Sequence, residues 1–527
     1  MLALYNARIY TLDKDCPKAS ALLIDRDKII AVGDNYSILT QIKGNARLYD
    51  LSGQVVLPGL TDAHIHLEQY ALGLLKVDCE TATMAECLER VAARDGQLPK
   101  GEWLLGHGWN QNNWEGGFGT AADIDAVVPN RPVYLTAKSL HAGWANTTAL
   151  RKAGITQNTP DPPGGRIGRY PDGSPDGILY ESAMTLISRE IPEPEIEQVA
   201  AAIRIAQATL WQMGITSAHD FDRARCFSSL QILHQEESLG IRVNKSIPLD
   251  ALPEAIEIGL RSGFGDDMLR IGNVKAFADG ALGPRTAAML QPYEGEPDNR
   301  GMLFLDGEEI AEKGRLAVEN GLGLAIHAIG DRANHEVLDG IERIRLFERE
   351  RKIPPLRHRI EHVQLLHPND VARLSQLGVI ASMQPIHATS DMLMANRYWG
   401  ERSNLAYAWR SLRERGAILA FGSDAPVESP NPFWGLHAAI TRRRADGTPG
   451  PDGWYPLQKL SLVEALQAYT IGAAYAAGLE NRLGKLAPGY LADLIVLSLD
   501  LFNCEPELIR NIRPMATMVA GSWMYQS

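Results

Sequence analysis

Hydrophobic and polar positions follow two different rhythms along this chain. At both ends the apolar runs are short and broken by turn signals. "LALYNARIYTL", "ASALLIDRDKIIAVG" and "ARLYDLSGQVVLPG" fill the first fifty-odd residues, and "GKLAPGYLADLIVLSLD" and "RPMATMVAGSWMY" lie near the last. Short apolar runs set between Asp, Asn, Gly and Pro predict antiparallel strands. Residues 1–56 and 485–527 are therefore expected to build one composite β-sandwich from the two ends of the chain.

The middle has a longer period. Apolar, β-rich runs recur at 214–222, 241–249, 269–280, 321–331, 357–366, 378–388 and 416–426. Segments of helical character, such as "DGEEIAEKGRLAVEN" and "HPNDVARLSQL", separate several of them. Buried strand alternating with helix predicts a parallel sheet. With the earlier run "LPGLTDAHIHL" (57–67) the strands number eight, which predicts an α/β fold, a distorted (β/α)₈ barrel over residues 57–484. Such barrels carry their chemistry at the C-terminal strand ends. The repeat is interrupted at about 70–205, a stretch much longer than the roughly 30 residues of one βαβ unit. It is expected to be a large insertion with sheet of its own, lying over the barrel mouth. Its Trp109, Trp114 and Trp144 are candidates for a substrate wall, against the ordinary tendency of aromatics to pack in cores.

Composition narrows the class. The chain has 527 residues, 45% hydrophobic and 22% charged, with a formal net charge of -12. The acidic balance argues against nucleic acid or an anionic membrane as the main partner, and no apolar run approaches the roughly 18 residues of a spanning helix. Cys16, Cys79, Cys87, Cys226 and Cys504 are odd in number and form no CxxC pair. A reducing, cytoplasmic setting fits them better than a disulfide framework.

Candidate chemistry comes from polar residues set in apolar strands. His64 and His66 alternate with Ile65, so both point to one side of the first strand. Lys275 marks the fourth strand, His327 the fifth, His362 the sixth and Asp424 the eighth. Imidazole and carboxylate together suit zinc and similar divalent metals. The eighth strand neighbours the first once a barrel closes, so His64, His66 and Asp424 can share an ion. His327 and His362, on adjacent strands, can hold a second. A protonated Lys275 would be repelled by dications; deprotonated, it can add carbon dioxide and bridge both metals as a carbamate. A lone strand histidine is more often a hydrogen-bonded core residue, and His219, His335, His358 and His437 are read that way. Six suitable groups at matching ends of five strands are harder to assign to packing. Serine-hydrolase elbows, phosphate loops, HExxH helices and dinucleotide fingerprints are absent from the sequence.

These segments resemble the metal-dependent amidohydrolase superfamily, and its amidohydrolase family 3 branch in particular. "VVLPGLTDAHIHL" resembles the first-strand signature; "VKAFADGALGPRTAAML", "IHAIGDRAN", "RIEHVQLL", "SMQPIHATSD" and "FGSDAPVESPNP" resemble later strands in the same order; "GKLAPGYLADLIVL" resembles the returning hairpin. The resemblance implies a barrel with a composite sandwich and one or two divalent ions, most simply zinc. His64, His66 and Asp424 would hold one ion and His327 and His362 the other, with Lys275 as a bridging N6-carboxylysine. It also implies hydrolysis at an sp² carbon by a metal-activated water, with Asp424 as both ligand and general base. His141, Arg285 and His387 match polar positions facing the substrate pocket of that branch.

The expected activity is hydrolysis of a non-peptide C–N bond, such as an N-acyl or N-formyl amide, in a small-molecule substrate, by a chain able to form a homodimer. A mononuclear deaminase of a cyclic amidine is the nearest alternative, and Lys275 counts against it. A non-catalytic barrel scaffold is the alternative of another class, and the intact ligand set counts against that.

Overall fold

A computed structural model describes residues 1–42, 46–111, 114–138 and 141–527. The chain forms two compact units, Met1–Tyr70 with Ile203–Ser527, and Ala71–Ala202.

The first unit contains the barrel. Its strands are β1 (Leu60–Ile65), β2 (Ile215–Asp220), β3 (Arg242–Pro248), β4 (Leu269–Phe277), β5 (Leu324–Ala328), β6 (Arg359–His362), β7 (Ile380–Met383) and β8 (Leu419–Phe421). All pair in parallel and in chain order. The ring is joined just beyond β8, where Ile65 pairs in parallel with Ala425. Across that seam Asp424 N donates to the His64 carbonyl at 2.7 Å and His66 N to that of Ala425 at 2.9 Å. Gly422 makes the approach possible, because a Cβ there would lie 2.4 Å from His64 N and 2.6 Å from Asp62 Oδ1.

Strands buried on both faces read as nearly continuous apolar runs, and the outer face here explains most of that character. Val274, Ile326, Ile360, Ala381 and Phe421 pack into one core with Ile310, Val318, Val337 and Ile341 of the helices Gly307–Glu319 and Asp331–Arg351. The first of these helices begins with a capping box, Asp306 and Glu309 each satisfying the other's backbone amide, which removes two of the unpaired donors of a helix start. The inner face is polar. Arg359 of β6 donates to Ala63 O, His219 Nδ1 and Ser382 Oγ, which belong to β1, β2 and β7. Regular helices do not follow every strand: between β3 and β4 there are only a 3₁₀ turn and Leu252–Glu257.

Strands from both chain ends form two further sheets in the same unit. One orders Lys28–Gly33, Ala21–Asp25, Leu2–Tyr5 and Arg47–Asp50; the other runs from Ser522–Gln526 through Pro514–Val519, Leu494–Leu497, Val55–Pro58 and Arg8–Tyr10 to Lys18–Ala19. They share a core containing Leu4, Ile9, Leu22, Ile24, Val56, Leu494, Val496 and Met518. A buried bidentate pair, Arg242 to Asp493 at 2.7 and 2.8 Å, links β3 to this assembly.

The second unit has its own six-stranded sheet, from Gly165–Arg169 at one edge to Val77–Asp78 at the other. Trp109, Trp114 and Trp144 lie in its core. Trp109 is 1% exposed and donates its indole N–H to Leu135 O at 2.9 Å. The side chain expected on a substrate wall is therefore a packing element, its one polar atom already satisfied. Among the described residues no helix is long and apolar enough to cross a membrane, and all five cysteines are free.

Candidate metal centre

The seam between β8 and β1 assembles the first set of donors. His64 Nε2 and His66 Nε2 each lie 3.4 Å from Asp424 Oδ1. Two donors about 2.1 Å from one ion, at a tetrahedral angle, are about 3.4 Å apart. Both spacings to Asp424 Oδ1 therefore match those of donors sharing a zinc-sized cation. Asp424 sits in left-handed backbone, φ 62°, a conformation uncommon outside glycine and found often at functional sites.

Each imidazole is oriented by its other nitrogen. His64 Nδ1 donates to Glu361 Oε2 at 2.7 Å, His66 Nδ1 to Asp222 Oδ1 at 3.1 Å and His362 Nδ1 to Gln384 Oε1 at 2.9 Å. All three leave Nε2 as the atom available to a cation, the pattern by which carboxylates and amides fix metal-binding histidines. His327 is reversed. Its Nε2 donates to Gly280 O at 2.9 Å and lies 3.5 Å from Asp279 Oδ1, which leaves Nδ1 available. Its ring centroid is 4.6 Å from that of His362, which in turn is 4.9 Å from that of His64.

Burial sets most of the charges. It pushes His64 down to about 4 and His327 to about 3, with Lys275 adding to both effects, and it holds His362 well below the usual imidazole value. These rings are neutral, with a lone pair available. Burial opposes the protonated form of His66 as well, yet hydrogen bonds to Asp222 and Asp424 outweigh it and lift that group to about 9, so a cation at Nε2 takes the place of the proton shared with Asp424. Asp424 is held far below the carboxylate range, since the surrounding imidazoles outweigh its desolvation.

Lys275 is 6% exposed. Its Nζ sits 4.6 Å from the Phe221 ring centroid and 5.0 Å from that of Phe277. Among the described residues no carboxylate lies within ion-pair distance of it. Burial lowers this amine to about 8, against the pull of Glu361 and Asp424. A buried amine with no counter-ion and a substantial neutral fraction is suited to carbamate formation.

Three groups of side chains bring metal-type donors within 4.8 Å of one another among the described residues: His64, His66 and Asp424; His362, His387 and Asp424; and Asp220, Asp222 and Cys226. The second group has a member that sequence reasoning placed against substrate. His387 stacks on His362 at 9°, its Nε2 lies 3.9 Å from Asp424 Oδ2, and that nitrogen is buried without a hydrogen-bond partner. Arg285, expected to meet a substrate anion or carbonyl, instead pairs with Glu296 at 2.7 Å and lies over Tyr398. His141 is in the second unit, its side chain 72% exposed and 3.0 Å from Glu181. A cavity of about 730 Å³ lined by Tyr293, Glu294, Glu296 and Arg402 includes none of the six candidate ligands.

Sequence reasoning missed the residues that aim the ligands, namely Glu361, Asp222 and Gln384. A signal existed for the first. In "RIEH" two charged residues sit two apart in a fully buried strand, which marks an inward polar face. Strict alternation groups Glu361 with Arg359 and His362 with the outward Ile360. Left-handed backbone at His362, φ 75°, takes that imidazole off the alternation.

A closed parallel barrel with histidines and a carboxylate gathered at its C-terminal strand ends defines a metal-dependent barrel hydrolase. Comparison is more specific: the sequence pattern of the amidohydrolase family matches residues 47–525, and the chain belongs to that family. It is accordingly a hydrolase acting on carbon–nitrogen bonds. The Arabidopsis thaliana protein LONG AFTER FAR-RED 3 is 33% identical, over 99% of this chain and 91% of its own. The N-substituted formamide deformylase of Arthrobacter pascens is 28% identical, over 100% of this chain and 98% of its own. A metal-dependent hydrolase from Pyrococcus furiosus superimposes with a TM-score of 0.78 at 29% identity, covering 95% of this chain and 99% of that one.

Proposed function

We propose that this chain hydrolyses a small non-peptide amide, of N-acyl or N-formyl type, at a binuclear centre. His64, His66 and Asp424 would hold one divalent ion, His327 and His362 the other, and Lys275, carboxylated at Nζ, would bridge them. Zinc suits the mixed imidazole and carboxylate donors best. The reading rests on one observation above all: His64 Nε2 and His66 Nε2 are equidistant, at 3.4 Å, from Asp424 Oδ1. When bound, such cations polarise a carbonyl and make water a nucleophile near neutral pH.

The chain's own residues divide the remaining tasks. Asp424 is the general base, taking a proton on its carboxylate and passing it to the leaving nitrogen. His387, with Nε2 3.9 Å from Asp424 Oδ2, faces the same reacting centre; with Nδ1 3.5 Å from Gln364 Nε2, it would donate to substrate oxygen from Nε2. Full-length similarity to an N-substituted formamide deformylase supports the choice of amide. The five free cysteines support a reducing, cytoplasmic setting.

The test combines metal removal with a substrate panel. Chelator-stripped protein should lose turnover of N-formyl and N-acyl amides and recover it with Zn²⁺. Asp424→Asn should bring kcat close to background. Turnover indifferent to chelation, or surviving that substitution, refutes the proposal.

A further inference from the structure

The third donor group, Asp220, Asp222 and Cys226, belongs to neither half of the proposed centre. A cation already serves it. Lys245, from β3, places Nζ 2.7 Å from Asp220 Oδ2 and also donates to the Asp222 carbonyl oxygen. Lys245 and Asp220 are 2% and 0% exposed. Cys226 Sγ, 3.5 Å from Asp220 Oδ2, is part of the same packing.

The two carboxylates face the segment that carries the second histidine of the HxH pair. Asp220 Oδ1 accepts from Leu67 N at 2.8 Å. Asp222 Oδ2 accepts from Glu68 N at 2.6 Å and Gln69 N at 3.4 Å. Asp222 Oδ1 takes His66 Nδ1 and Gln69 Nε2, each at 3.1 Å. The backbone amides at the start of helix Leu67–Leu74 and the imidazole just before it are thus held by one pair of acids.

Two buried carboxylates two residues apart repel each other, and each needs compensation inside the barrel wall. The ammonium of Lys245 supplies it for Asp220 while anchoring the Asp222 backbone. We propose that Lys245 is a positioning residue for His66, acting through Asp222 to keep His66 Nε2 at its distance from Asp424. The inference rests on the reading of His66 as a metal ligand. No step assigned to the centre uses Lys245 directly.

Zn²⁺ affinity of the full chain, measured by chelator competition, tests this with His66→Ala, Asp222→Asn, Lys245→Met and the Asp222→Asn/Lys245→Met double variant. Loss of an outer partner of a metal ligand weakens binding about 10–100-fold. Lys245→Met and Asp222→Asn should each fall in that range, and the double variant should be no weaker than the weaker single one, because both act along one chain of contacts. A purely structural lysine would lower Tm and leave the affinity of the folded protein unchanged. Wild-type affinity in Lys245→Met, or losses that add, overturns the inference. If Lys245→Met does not fold, Asp222→Asn decides alone, and unchanged affinity there removes the middle link. Wild-type affinity in His66→Ala overturns the ligand reading itself, whereas loss there with none in Lys245→Met defeats only the present inference.

Discussion

Asp424 N donates to the carbonyl of His64 at 2.7 Å, across the seam where the eight-stranded barrel closes. The same pair meets again through side chains, Oδ1 to Nε2 at 3.4 Å. Closing the fold and forming the donor set are therefore one event. A change that opens the seam must disturb both stability and metal binding.

Gly422→Ala tests that coupling. The added Cβ would sit 2.4 Å from His64 N, on backbone that cannot rotate away. Overpacking of this kind costs about 1–3 kcal/mol. Urea unfolding should show that loss, and metal content after purification should fall with it. Undiminished metal content would separate the seam from the centre.

Glu361→Gln addresses the orientation of His64. Glu361 Oε2 takes His64 Nδ1 at 2.7 Å while Oε1 takes Arg359 Nε at 2.5 Å. A glutamine offers one acceptor oxygen for both donors. Zn²⁺ affinity by chelator competition is expected to fall about 10–100-fold.

Lys275 predicts a dependence on carbon dioxide. Its amine has no carboxylate partner among the described residues, and burial lowers it to about 8. Metal-free protein should regain activity faster and more completely when Zn²⁺ is added with bicarbonate than without it. Lys275→Arg should abolish the bicarbonate effect, and ¹³C-labelled bicarbonate should give a carbamate resonance only in the parent protein.

Acid stability offers a check away from the centre. Glu464 caps the helix Leu462–Gln467 and takes both terminal nitrogens of Arg410, at 2.9 and 2.8 Å. Partial burial opposes its charged form, but these bonds win and lower it from 4.5 to about 2. A group depressed on folding stabilises the native state above its unfolded value and loses that contribution as the pH falls through the folded one. The stability difference between the parent and Glu464→Gln should be constant above about pH 4.5 and vanish toward pH 2. Urea unfolding across that range measures it.

Much of the architecture was legible in the chain because hydrophobic periodicity is local. Each of the eight barrel strands lies within an apolar run visible in the sequence, and "DGEEIAEKGRLAVEN" contains the helix Gly307–Glu319. "HPNDVARLSQL" delivered less, a 3₁₀ turn at Pro368–Asp370 and one short helix, Arg373–Gln376. Side-chain partners were harder to read. Arg285 looked available beside the fourth strand, but Glu296 folds back to pair with it. Trp109 looked like pocket lining, but the hydrophobic gain of burying an indole placed it in a core.

The sequence by itself determined the order of strands and the kinds of donor at their ends, since each follows from local pattern and composition. Tertiary structure alone decided which donors meet. His64 finds Glu361 across 297 positions and Ser423 finds Asp62 across 361. Those distances are fixed by ring closure and by left-handed turns at His362 and Asp424, neither of which any local periodicity encodes.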